Sequence, residues 1–429
     1  MSERLAVYLH NAPAPQLVGE LSDIGTGAHF QYHPEFLQHG VDLSPFTLPR
    51  NSRVFQPGPR GLLRLQGLFF DALPDGWGLK MLHQGMRQAN IDVEGRSPVT
   101  WLRALGARGM GALTFRPPMD GVDTTMADDA DLETLAAEAR AVEAGHVDTV
   151  LPALTRAGGA SGGVRPKIVA GWHDSGAIVD AFAPLPADYR PVVIKFASRT
   201  EPEDMPLVEA AYLSMAQAAG IDVPPHRTHA LPEQRWALII DRFDRAGDQR
   251  IHVHTLAGLI EADIRSDIVE YGSLIKVASH LTHDYRAARA CWMRAAFNVG
   301  ACNRDDHARN VAFRMAQDGT WDLAPAYDLT YAEGIGGYHN MQVDGESANP
   351  GRTDLLRLAD RSDIDRADAE RGLEQVRSAL STWPDIASAF GVPAPRIRDI
   401  GKRIDAQLLL LGPTTVAAAP WKKRPGRSR

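Results

Sequence analysis

Two hydrophobic periods alternate along this chain, and the point where one yields to the other divides it. Near the start, RLAVYLH (4–10) alternates apolar and polar side chains as a half-buried strand does. WLRALGARGMGALTF (101–115) reads as a helix that breaks at glycines into a strand. DLETLAAEARAVEAG, within about Met126 to Val150, has helical composition, and the Gly-dense GGASGGV (158–164) opens into RPKIVAG, a strand start. PVVIKFAS (191–198) is a second strand, followed by an acidic turn and an amphipathic helix reaching about Ala219. RWALIIDRF (235–243) is a third, ending at Asp244-Arg245. Beyond it the helical period takes over in VEYGSLIKVASHL, in YRAARACWMRAAFNVGA and across 365–412. One interruption stands out: VAFRMAQDGTWDLAPAYDL, where two short strands flank Asp318-Gly319, a dipeptide that favours a tight hairpin. No internal repeat is present. The pattern predicts an α+β protein with a mixed α/β N-terminal half, a mainly α-helical C-terminal half, and a cleft between them.

Composition narrows the class. At 429 residues the chain exceeds one ordinary core, since cores stop growing at roughly 250–300 residues. With 44% hydrophobic and 23% charged residues it is neither fibrous nor disordered. A net charge of −7 argues against a broad basic face for direct nucleic-acid binding. Cys291 and Cys302 make no disulfide framework and no CxxC pair, which suits a reducing cytoplasm. No run of about 18 apolar residues predicts a membrane span, and the N-terminus has no signal-peptide pattern.

Candidate chemistry gathers in Asn303-Arg304-Asp305-Asp306-His307-Ala308-Arg309-Asn310. Asp305 and Asn310 have the separation at which one residue faces an acceptor hydroxyl and the other binds Mg²⁺, and Asp328 returns after the hairpin as a second metal-binding carboxylate. Taken singly, each is as readily a loop acid capping the next element. Lys195 ends an apolar strand, the context of a phosphate-pairing lysine, although strand-edge lysines are often only solvated charges. Its expected partner is Glu209 on the following helix; Glu201 and Glu203 sit earlier, in the acidic turn. Gly158, Gly159, Gly162 and Gly163 allow backbone N–H groups to approach phosphate oxygens, with Lys167 in reach from the next strand. Glycine clusters are more often plain linkers, and the P-loop pattern with its Gly-Lys-Ser/Thr is absent. A rival metal-hydrolase reading rests on His252, His254, His280 and His283 with Asp305 and His307. It lacks HExxH or three clustered histidines, and it needs 252–254 extended to bring the first pair to one face.

In this order the motifs resemble those of the HipA family of bacterial serine/threonine kinases, toxins of toxin–antitoxin modules. Gly67-Leu68-Phe69-Phe70-Asp71-Ala72-Leu73-Pro74-Asp75-Gly76 is similar to the family's F-x-x-L-L-P-E-G segment, with Asp75 for the usual glutamate. Gly111-Ala112-Leu113 looks like its G-A-L strand start, and Gly162-Gly163-Val164-Arg165-Pro166-Lys167 matches G-G-A-R-P-K except at Val164. Ile194-Lys195, Asp241-Arg242-Phe243-Asp244-Arg245, the 303–310 segment and Pro325-Ala326-Tyr327-Asp328 follow in family order. The resemblance implies a two-lobed kinase-like fold that uses ATP and Mg²⁺. It divides the chain into an accessory subdomain (1–120), an ATP-binding α/β lobe (121–245), a helical catalytic lobe (246–420) and a disordered basic tail (421–429).

The resemblance also assigns roles. Asp305 becomes the catalytic base, and Asn310 and Asp328 the Mg²⁺ ligands. Gly162, Gly163, Val164, Arg165, Lys167, Lys195, His307, Arg309 and Tyr327 line the ATP site. Asp241, Arg242 and Phe243 meet adenine, and Asp244 lies near the ribose. Ser161, the only serine of the Gly-rich loop, becomes the autophosphorylation site. The implied acceptor is a protein serine or threonine, aminoacyl-tRNA synthetases being the family's established targets. The implied partner is a HipB-like helix-turn-helix antitoxin, through which alone DNA is met. A catalytically idle co-repressor is the competing reading, but such a scaffold has no physical need for Lys195, Asp305, Asn310 and Asp328.

Overall fold

The computed structural model describes residues 3–122, 131–146, 152–160 and 162–412. Ser161 and the basic tail fall outside the described residues.

The alternation at the N-terminus makes strand Glu3–Leu9, whose Leu5, Val7 and Leu9 are buried while the residues between stay partly open. It is central in a four-stranded antiparallel sheet ordered Ala28–Tyr32, Gln16–Asp23, Glu3–Leu9, Leu113–Arg116. Phe30, Tyr32 and Phe55 pack beneath it, with the Phe30 and Phe69 ring centroids 4.9 Å apart. That apolar layer runs without a break into the core of the helical half. Burying one shared core ties residues 3–116 to the rest of the chain.

A second sheet carries the Gly-rich loop. Its order is Ile178–Asp180, Lys167–Trp172, Arg190–Phe196, Arg235–Asp241, His226–Leu231, and every pair is antiparallel. Successive side chains of a strand point to opposite faces. Ala237 and Ile239 therefore join the core under helices Leu132–Glu143 and Pro152–Gly158, while Leu238 and Ile240 join the core around helix Met205–Ala218. That last helix is buried on nearly every face rather than amphipathic, because it lies between the sheet and helices Arg366–Ser381 and Trp383–Ala389. The expected helix near 126–150 is present over Leu132–Glu143.

The C-terminal half is built on helix Tyr285–Gly300, against which Tyr271–Thr282, Arg352–Arg361, Arg366–Ser381 and Ala394–Leu411 pack. The hairpin forms as expected, Ala312–Met315 against Trp321–Leu323, with Gly319 at φ +87° in the turn. A third strand, His252–Thr255, pairs with Ala312–Met315 and was not legible from the helical period around it.

Candidate active site

Lys195 lies where the two halves meet. Its strand pairs with Lys167–Trp172 so that Lys195 faces Lys167 across the register. Two ammonium groups side by side in a buried place require carboxylates, and the fold supplies them. Lys195 Nζ donates to Glu209 Oε1 at 2.5 Å and also bonds the Asp328 carboxylate. Glu209 comes from the following helix, as expected; Arg165 Nη1 stands 3.6 Å from its other oxygen. Glu201 pairs instead with Arg165 at 2.9 Å and Glu203 with Arg140. Burial alone favours a neutral Lys195 amine, but Asp328 and Glu209 outweigh it and raise its pKa. Burial acts likewise against ionised Asp328, and there too Lys195, then Lys167, prevail and hold the carboxyl well below its ordinary range. Among the described residues Lys167 has no such pair: burial dominates and lowers its pKa, and its Nζ donates to Gly162 O at 2.7 Å.

The catalytic-loop candidates lie on the opposite wall. Asp305 is 62% exposed, open to an incoming group, while its neighbour Asp306 is sealed in. Partial desolvation by the cleft walls raises the Asp305 pKa, with Asp328 and Asp306 adding and His307 and Arg165 opposing. His307 Nε2 is 4.0 Å from Asp305 Oδ1, and Asn310 Nδ2 donates to the Asp305 carbonyl at 2.8 Å. Asp328 sits at φ +52°, a left-handed conformation that costs about 1 kcal/mol or more for a residue with a Cβ. Its ion pair with Lys195 holds it there.

The site therefore contains paired cations, an open carboxylate and two oxygen donors within one cleft. Residues 159–383 match the HipA-like C-terminal domain, and residues 5–116 match the HipA N-terminal domain. The chain belongs to the HipA family. No curated protein matches it. Among solved structures it is similar to the HipA of the Shewanella oneidensis MR-1 toxin–antitoxin system, solved as a complex of HipA, HipB and operator DNA. The identity is 18%, the coverage 94% of this chain and 96% of that one, and the TM-score 0.66. It also aligns with the Helicobacter pylori proinflammatory kinase CtkA at 11% identity and TM-score 0.36, over 57% of this chain and 88% of that one.

Within this HipA family fold some expected residues face the cleft and others do not. Phe243 and Tyr327 stack at 5.5 Å between ring centroids, and the Tyr327 hydroxyl donates to Arg309 O at 2.8 Å. Asp241 pairs with Arg227 at 2.8 Å, and Val164 is 85% exposed at the loop tip. The expectation that Asp244 lies near the ribose meets a carboxylate that is already engaged. Its side chain is 1% exposed and its oxygens are taken by Arg242, Arg245 and the Gly111 N–H at 2.8, 2.8 and 2.7 Å. Arg242, equally buried in that pair, is likewise unavailable to adenine through its side chain. Asp244 and Arg245 staple the hinge to the N-terminal region through the Gly111 N–H and carbonyl. The histidine rival is corrected. His252 and His254 do share one strand face, but they bond Leu43 O at 3.1 Å and Ser44 Oγ at 3.0 Å, and His254 Nδ1 meets Asp71 at 2.5 Å. Among the described residues no three His, Cys, Asp or Glu side chains converge as a metal cage.

Three contributors escaped the sequence reading. Asp75 bonds the Gly163 N–H and pairs with Arg309 Nη1 at 2.7 Å, joining the Gly-rich loop to the 303–310 segment. Beside it Trp77 N donates to Gly163 O at 2.9 Å, and a Cβ on Gly76 would stand 2.6 Å from that oxygen. The family segment around Asp75 was the available signal. Asp306 accepts from Tyr271 at 2.7 Å and Asn340 N at 2.8 Å, and bonds His339 at 2.9 Å, which anchors the backbone beneath Asp305. Arg294, buried on the central helix, donates to Ala324 O just before the Asp328 segment. Neither Asp306 nor Arg294 could be assigned locally, because their partners lie roughly thirty residues away or more.

Asp328 and Asn310 fit magnesium. They offer a carboxylate and an amide oxygen, the hard donors it takes, and a cation shared with phosphates needs only one or two protein ligands. No described helix is long and apolar enough to cross a membrane.

Proposed function

We propose that this chain is an ATP- and Mg²⁺-dependent protein kinase that phosphorylates serine or threonine. The observation that carries the reading is Lys195, bonded at once to Glu209 of its own lobe and Asp328 of the other while Asp305 stays open. When bound, magnesium shares the phosphate charge and makes the terminal phosphorus a better electrophile. Asn310 and Asp328 would hold the metal. Lys195, oriented by Glu209, takes a phosphate oxygen, and the backbone N–H groups of Gly162 and Val164 cover the phosphates while Asp75 holds the Gly163 N–H and so the loop, with Lys167 beneath them. Phe243 and Tyr327 offer flat faces to adenine. Asp305 accepts the hydroxyl proton as the acceptor oxygen bonds phosphorus and ADP departs. His307 Nε2 lies 4.0 Å from the Asp305 carboxylate.

The finer parts of the proposal follow from the family. Autophosphorylation at Ser161 would add a charge of about −1.5 to −2 beside the phosphate site and oppose ATP binding. A HipB-like antitoxin would carry DNA recognition, since a chain of net charge −7 has little means of releasing counterions itself. An aminoacyl-tRNA synthetase is the acceptor to try first. The test is transfer of labelled γ-phosphate: wild type should label itself and an acceptor, and Asp305→Gln should not. Near-wild-type transfer by Asp305→Gln removes Asp305 from this role. A gel shift with chain alone, antitoxin alone and both tests the partner; tight specific shifting by the chain alone refutes it.

A further inference from the structure

A cavity of about 510 Å³ opens behind the catalytic loop, on the helical half, and the proposed phosphoryl transfer makes no use of it. Arg304 and Arg403 line it, with Tyr331, Asn349 and the glycine-rich stretch 334–337. Neither arginine has a carboxylate within ion-pair distance among the described residues, although most arginines of this acidic chain do. Arg304 is also poorly satisfied. Its Nε is buried without a partner among the described residues, and its two terminal nitrogens reach Glu333 O and Ala348 O only at 3.5 Å each. A half-buried guanidinium whose Nε is sealed this way costs free energy until an acceptor arrives.

The wall above Arg304 is built for close approach. Gly334, Gly336 and Gly337 all have positive φ, between +65° and +81°, and a Cβ on Gly334 would stand 2.8 Å from the Arg304 Cβ. A backbone without side chains thus folds directly over a cation. One negative group, Glu333, lies on the rim. It is exposed and accepts the Tyr331 hydroxyl at 3.1 Å, so the lining keeps a surplus of positive charge.

We propose that this cavity is a second ligand site, distinct from the nucleotide cleft, for a phosphate-type oxyanion, free or on a small phosphomonoester. Two guanidinium forks suit tetrahedral oxyanions, and the volume leaves room for an organic body against Tyr331 and Leu410. Arg304 precedes Asp305, and its carbonyl accepts from Asn340 Nδ2 at 2.9 Å, so the occupant would sit one residue from the catalytic loop.

The experiment is equilibrium dialysis of the full chain against labelled inorganic phosphate at physiological salt, with ribose 5-phosphate as competitor. It is repeated with the cleft saturated by Mg²⁺ and a non-hydrolysable ATP analogue. One saturable site per chain, retained with the analogue and weakened about tenfold or more in Arg403→Glu, is expected. Competition by ribose 5-phosphate identifies a phosphomonoester pocket; its failure identifies free phosphate. Arg403 is exposed on the last helix, and an unchanged thermal transition shows that Arg403→Glu folds. Absence of saturable binding, loss of binding with the analogue, or unchanged binding in Arg403→Glu overturns the site. Because no phosphoryl transfer is read, failure here is separable from failure of the kinase reading.

Discussion

Replacing Lys195 by methionine keeps the side-chain volume and removes one charge from between two carboxylates. The Lys195, Glu209 and Asp328 side chains are 9%, 3% and 31% exposed. Breaking a buried ion pair by removing one partner costs about 3–5 kcal/mol, because the remaining charge stays desolvated. Glu209 keeps Arg165 at 3.6 Å, and Asp328 keeps the field of Lys167. The expected loss therefore lies at the lower end, about 3 kcal/mol. With a urea slope of about 3 kcal/mol/M, that moves the midpoint by about 1 M. In a double-mutant cycle with Asp328→Asn, the pair should lose about 1–2 kcal/mol less than the sum of the singles. The pH dependence has a definite sign. Asp328 has a depressed folded pKa, so its contribution is complete above the ordinary value of 3.8 and disappears as pH falls through the folded one. The deficit of Lys195→Met should then be the same at pH 7 and pH 5 and shrink only in stronger acid. A loss below about 1 kcal/mol, or one abolished by high salt, would show a solvated pair and refute the argument.

Four other outcomes follow from the same geometry. Asp305 has a raised folded pKa, but with its side chain 62% exposed solvent screens the cost of its charge; Asp305→Asn should abolish transfer while leaving resistance to urea at pH 7 nearly unchanged, and a large loss of resistance would make Asp305 a structural residue. The acid limb of kcat/KM should accordingly fall above the ordinary carboxylate value of 3.8, not at it. Nucleotide phosphates should raise the lowered pKa of Lys167, so ATP-analogue binding measured by calorimetry in buffers of different ionisation heat should take up protons at alkaline pH, and Lys167→Met should not. Asp75→Ala should cut kcat/KM for ATP about tenfold or more by freeing the Gly163 N–H and Arg309, while Asp75→Glu should recover much of it; an Asp75→Ala enzyme of normal efficiency would leave Asp75 a surface pair.

Local pattern alone determined much of this protein. Alternation in RLAVYLH, the apolar runs around Lys195 and Arg235–Asp241, and Asp318-Gly319 each specify their element through side-chain period or turn chemistry, and each element formed. The spacing from Asp305 to Asn310 and the strand context of Lys195 marked the cleft for the same reason: both are short-range. Tertiary structure decided what depends on partners distant in the chain. The Met205–Ala218 helix is buried on nearly every face because it is covered from both sides, which no single period encodes. Asp244 sits beside Phe243 in sequence yet is withdrawn to Gly111, and His252 and His254 are satisfied by Leu43, Ser44 and Asp71, more than 130 residues away in each case. Asp75 is one more loop acid until folding sets it between Gly163 and Arg309. A residue's type and neighbours set what it can bond; only the packed chain sets what reaches it, because burial and long-range pairing are properties of the whole fold.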